Sequence, residues 1–105
     1  MRRSLQVIPK PGENLYGKMI AKEIALSDAE RGTFFRSGHK RHNRAKWSHK
    51  TYRGWITLER SAGGVVTAEI QCLAERHQWQ IMQAFIGWID RHFGNMVVGI
   101  NIQYP

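Results

Sequence analysis

No aspartate or glutamate occurs between Arg31 and Leu58. The same window holds eight basic residues, Arg31, Arg36, Lys40, Arg41, Arg44, Lys46, Lys50 and Arg53, with His39, His42 and His49 among them. Outside it, eight Lys and Arg are matched by eight Asp and Glu, so the whole formal charge of +8 belongs to this one stretch. An uncompensated surface of that sign attracts polyanions, of which nucleic acid is the commonest and anionic lipid and acidic protein are the others.

Other scarcities narrow the class. A single cysteine, Cys72, rules out an intramolecular disulfide and fits a reducing compartment, so a cytoplasmic location is expected. Arg2 and Arg3 are followed by only a few apolar residues before Pro9 and Pro11, short of the roughly 7–15 that a secretory signal needs. No run approaches the roughly 18 apolar residues of a membrane span, and no membrane association is expected. The glycine pair Gly63-Gly64 connects two strand-like segments rather than a strand to a helix, so it is not a phosphate-binding loop. His39 and His42 have a spacing that suits two imidazole ligands, but their strongly cationic surroundings disfavour a bound dication, and neither metal nor cofactor is expected. Cys72 alternates with Val66, Ala68 and Ile70, which reads as a buried, inert thiol.

At 105 residues the chain is expected to form one domain. Residues 1–14, with Pro9, Pro11 and Gly12, read as a flexible arm with a short extended piece at Leu5 to Ile8. Residues 18–25 fit a short helix. Ser27-Asp28-Ala29-Glu30 has the form of a capping box and predicts a second short helix from Asp28 to about Arg36, stopped by Gly38. Residues 37–46 lack apolar periodicity and read as a loop or arm, followed by a strand from Lys46 to Tyr52.

From Trp55 the patterning is stronger. Trp55 to Arg60 and Val65 to Leu73 each alternate, with Ser61-Ala62-Gly63-Gly64 as the turn between them, predicting a hairpin with one wet side. His77 to Phe93 places Trp79, Ile81, Met82, Phe85, Ile86, Trp88, Ile89 and Phe93 on one half of a helical wheel, and Gly94-Asn95 ends it. Met96 to Tyr104 alternates again. These elements predict an α+β two-layer sandwich: hairpin, long helix and C-terminal strand on one mainly antiparallel sheet, with short N-terminal helical segments. The strands flanking the long helix should run parallel, and the simplest closure sets the last strand beside Trp55–Arg60. The apolar arc of the helix is wider than a sheet requires, so either the N-terminal helices or a second subunit should cover its margin at Ile81 and Trp88.

The basic segment, residues 31–54, presented by a core of residues 55–105, is the candidate site. Arg36, Lys40, Arg41, Arg44, Lys46, Lys50 and Arg53 supply cations for phosphates, and Trp47, Tyr52 and Trp55 supply rings for unpaired bases. The favoured expectation is backbone-directed binding of RNA or single-stranded DNA. An interaction module, homodimeric or docking the arm on an acidic partner, is the first alternative. A small metal-independent RNase using His39, His42 or His49 with Arg44 or Lys46 is the second. No spacing here is diagnostic of catalysis, and no catalytic residue is assigned. Phe34 and Phe35 are expected to anchor the short helix to the core.

Overall fold

The computed structural model describes residues 3–38 and 41–104. Six strands form one antiparallel sheet: β1 (Arg3–Pro9), β2 (Phe34–Arg36), β3 (Arg44–His49), β4 (Gly54–Arg60), β5 (Val66–Cys72) and β6 (Val97–Gln103). Helix α1 (Leu15–Asp28) follows β1, and α2 (Arg76–Phe93) connects β5 to β6. The strand order is β2-β3-β4-β5-β1-β6. This is the α+β architecture that the periodicity predicts, with the long helix after the hairpin and a strand at the C-terminal end.

Alternation along the strands decides which face is dry. Leu5 and Val7 on β1, Ala45 and Trp47 on β3, Ile56 and Leu58 on β4, and Val66, Ala68 and Ile70 on β5 are buried in one cluster with Leu15, Met19 and Ile20 of α1 and Ile81, Met82, Phe85 and Ile89 of α2. Directly opposed residues of an antiparallel pair share a face. Their neighbours, Lys46, Ser48, Trp55, Thr57, Glu69 and Gln71, therefore stand on the opposite, open face. The margin of α2 at Trp88 is covered from within the chain: its indole meets the Trp47 ring at 5.1 Å, and Leu26 of α1 lies beside it.

Four expectations are corrected. The N-terminal arm is a strand held between β5 and β6, because Leu5 and Val7 reach the core while Pro9, which cannot donate to a ladder, ends the pairing. The capping-box helix does not form. Ser27 lies inside α1, where its hydroxyl donates to Glu23 Oε2 at 2.9 Å, and Glu30 at φ 57° ends the helical path. Phe34, Phe35 and Arg36 become a strand, as aromatic residues favour. Within residues 37–46, Ser37 pairs with β3 and a tight turn reverses the chain at His42-Asn43. Finally, β5 and β6 run parallel as a helical crossover requires, but β1 lies between them, so β6 is an edge strand far from β4.

Gly54 opens β4 at φ 157°, where a Cβ would lie 2.7 Å from each of Cys72 Sγ, Gln71 O and Ile81 Cδ1. The backbone carbonyl cannot swing away without breaking the ladder. Gly54→Ala should lower unfolding stability by about 1–3 kcal/mol, measured by urea denaturation.

Candidate functional site

The β2–β3 hairpin closes on itself at Arg41 and Arg44. The Arg41 amide donates to Arg44 O at 3.0 Å, and the Arg44 amide donates to Arg41 O at 3.2 Å. Asn43 takes the left-handed conformation the turn needs, φ 63°, a conformation asparagine tolerates better than most residues. Its carbonyl accepts from the Arg60 amide at 2.9 Å, which ties the turn to β4. Farther along, the Ser37 amide donates to Lys46 O at 2.7 Å. Between these bonds lies a shallow notch of about 300 Å³ lined by Ser37, Gly38, Arg41, Arg44, Ala45, Lys46 and Thr57. Three cationic side chains converge there, and no carboxylate belongs to the lining. Glu59 stands opposite Arg44 across β3 and β4, yet the ion pair formed between described residues is Lys18–Glu13, at 2.9 Å.

Beside the notch, Lys46 Nζ lies 4.5 Å from the centroid of the Trp55 ring, a cation–π contact. The Trp55 indole Nε1–H donates to Gln71 Oε1 at 2.5 Å, and Gln71 Nε2 donates to Glu69 Oε1 at 3.1 Å. The ring is half-buried, on the open face, and fixed in orientation by its neighbour. Phe35 was expected in the core, but it is 45 % exposed and its register opposite Ser48 sets it in the same row as Trp55. Only Phe34 of the pair is buried. The alternation of a strand, rather than the spacing of a helix, would have separated them.

The remaining candidates do not join this cluster. Trp47 is 0 % exposed, packed between Trp88 and Phe34, so it is a core residue with no face for a base. Arg36 pairs with Trp47 and so turns to the helical side of the sheet, where it lines a separate notch with Glu23, Ser27 and Asp28. Lys50 and Arg53 lie in the β3–β4 connection, at the far end of a strand of six residues, roughly 17–20 Å away. Tyr52 is half-buried there, its ring 4.8 Å from His49 and 5.7 Å from His77. Lys40 and His39 lie outside the described residues. A segment that is continuous in sequence is thus divided between two ends of the sheet and its helical side.

His49 is part of the fold at that second end. Its Nδ1 accepts the amides of Thr51 at 2.9 Å and Tyr52 at 3.2 Å, and its ring meets Phe34 edge-on at 5.1 Å. Burial first, and then the charge of Lys50, lower its pKa. Burial also lowers that of His92, assisted by Lys22 and Arg91. Burial raises the Cys72 thiol, which disfavours a thiolate nucleophile. Among the described residues no three His, Cys, Asp or Glu side chains gather as metal ligands, and no helix is long and apolar enough to cross a membrane.

Compared with known proteins, the chain matches no family model, no curated protein and no solved structure.

The lowered His49 pKa has a defined sign for stability. The unfolded chain takes up the imidazole proton before the folded one does, so stability is full above the ordinary histidine range and is lost as pH falls through it. The thermal midpoint should fall between about pH 7.5 and about pH 5. His49→Asn keeps a side-chain acceptor for the turn but cannot titrate, and should make that fall smaller in a melting series across pH, leaving the part that His92 contributes with the same sign.

Proposed function

We propose that this protein binds single-stranded nucleic acid, RNA or DNA, through the phosphate backbone, at the open-face end of the β2–β3 hairpin. The observation that carries the reading is the convergence of Arg41, Arg44 and Lys46 on one notch without a carboxylate, next to the oriented ring of Trp55. Guanidinium groups present forked donors that match phosphate oxygens, and the notch lets two of them act together. Lys46 covers the Trp55 face in the free protein. When Lys46 turns to a phosphate, that face becomes available to a base, and stacking on an aromatic ring contributes about 1–3 kcal/mol. The notch and ring supply phosphate-binding and stacking groups, and the amide beside them, Gln71, is engaged with Trp55 and Glu69, which favours weak sequence preference. Unpaired bases suit the ring better than a duplex does. The lone half-buried cysteine supports a reducing compartment, the cytoplasm, as the place of action.

Fluorescence anisotropy with labelled single-stranded oligonucleotides tests this reading. About three phosphate contacts predict a slope of log K against log salt near −2. Arg41→Glu with Arg44→Glu should weaken all sequences alike by at least about tenfold. Lys50→Glu with Arg53→Glu, at the other end of β3, should change affinity far less. Trp55→Ala should reduce single-strand binding more than duplex binding. Affinity that is flat with salt, or equal losses in the two double variants, would replace the notch with diffuse attraction to a basic chain.

A further inference from the structure

We infer that the helical side of the protein carries a second, separate site, for a small phosphorylated molecule with a planar ring, of the nucleoside monophosphate class. Its phosphate end is a notch of about 100 Å³ to which Arg31, Thr33, Arg91 and His92 contribute. Arg31 reaches it from the turn after α1. Glu30 takes φ 57° there, and the Arg31 amide donates back to Leu26 O at 2.9 Å, which directs the chain toward α2. Arg91 and His92 come from the last turn of α2. Lys22 of α1 is near enough to His92 to help hold its pKa down. No carboxylate belongs to the lining. Asp28 lines the Arg36 notch and Asp90 a groove on another side of α2, and among the described residues neither Arg31 nor Arg91 forms an ion pair.

The dipole of α2 accounts for cations in its own last turn. It does not account for Arg31 and Lys22, which converge on the same point from α1 and the turn after it. Cations gathered without an acid repel one another, and a bound dianion turns that repulsion into attraction. The two guanidinium groups fork their donors toward phosphate oxygens, and Thr33 adds a hydroxyl.

This notch opens into a wider groove. The two share Thr33, Trp88 and Arg91, and the groove, about 370 Å³, continues past Tyr52, Gln80, Gln83, Ala84 and Gly87. Together they reach the size of small-molecule pockets, roughly 300–1,000 Å³. Gln80, Ala84, Gly87 and Arg91 follow one stripe of α2, so the groove runs roughly 16 Å along the helix. A glycine inside a helix costs about 1 kcal/mol relative to alanine. No neighbour requires one at Gly87, where a Cβ would meet nothing within 4 Å. With Ala84 one turn earlier, Gly87 leaves bare helix surface on which a flat ring can rest. Gln80 and Gln83 offer amides, uncommitted among the described residues, to polar atoms on the edge of that ring.

Titration of the full, nuclease-treated chain with adenosine monophosphate (AMP), adenosine and inorganic phosphate, followed by calorimetry and NMR amide shifts, tests the inference. AMP should bind with a dissociation constant below about 1 mM and shift the amides of residues 31–33 and 84–92. Adenosine and phosphate should each bind at least about tenfold more weakly. Arg31→Gln with Arg91→Gln should weaken AMP at least about tenfold, with circular dichroism unchanged because both side chains are exposed. Gly87→Leu should raise the melting temperature and weaken AMP several-fold, yet leave phosphate binding as it was. Arg41→Glu with Arg44→Glu should bind AMP as before, and Arg31→Gln with Arg91→Gln should bind oligonucleotides as before, so this site and the hairpin notch fail separately. No binding up to about 10 mM AMP, shifts confined to the hairpin, or equal losses of AMP in the two arginine pairs would overturn the inference. So would phosphate that binds as tightly as AMP. An oligonucleotide with a terminal phosphate that takes the site more tightly than AMP would make a strand end the occupant and overturn it as well.

Discussion

Trp47 determines where the charge of this protein goes. Its indole is fully buried on β3, 5.1 Å from the Trp88 ring and 6.2 Å from that of Phe34, which in turn meets Phe85 edge-on. Because side chains alternate along a strand, burying Trp47 obliges Lys46 and Ser48 to face the other way. A slip of one residue would put Lys46 and Arg44 in the core, where an unpaired ammonium or guanidinium costs several kcal/mol. The aromatic contact thus fixes the register, and the register carries Arg44 and Lys46 to the open face beside Trp55. The buried Trp47 N–H has no acceptor among the described residues. That costs about 1–3 kcal/mol, which places the weight of the contact on ring packing.

The parts of the fold that are legible in the sequence are those whose burial pattern is local. β4, β5, α2 and β6 each repeat with a clear period, and each lies within a few residues of where that period puts it. β1 was obscured because its alternation covers only Leu5 and Val7 and is followed by Pro9, Pro11 and Gly12; what makes it a strand is its place between two distant partners. Ser27 shows the limit of a short motif. The same hydroxyl that caps a helix at its start can donate four residues back within one, and the glutamate it meets is Glu23, not Glu30.

The candidate site was legible as a charge anomaly but not as a surface. Composition sums Arg36, Lys50 and Arg53 with Arg41, Arg44 and Lys46, whereas strand parity and direction separate them. Arg36 goes to the helical side with Trp47, and Lys50 and Arg53 go to the opposite end of β3. Trp55 is on the open face by the alternation of its own strand, and Phe35 by that of a strand the sequence did not reveal. The notch itself depends on the turn at Asn43 and the Ser37–Lys46 bond, features of backbone geometry that no periodicity records.

The two edges of the sheet meet the edge-strand problem in opposite ways. At one, β2 has three residues and is bordered by Arg36 and the basic turn, so another strand gains few hydrogen bonds and meets repulsion. At the other, β6 is longer and carries no charge, and its ladder with β1 skips Val98, since Ile8 opposes Gly99 whereas Pro9 opposes Val97. A bulge of this kind bends and twists the strand that carries it, which makes the outer edge a poorer template for a further strand. Charge guards one edge, and irregular backbone the other.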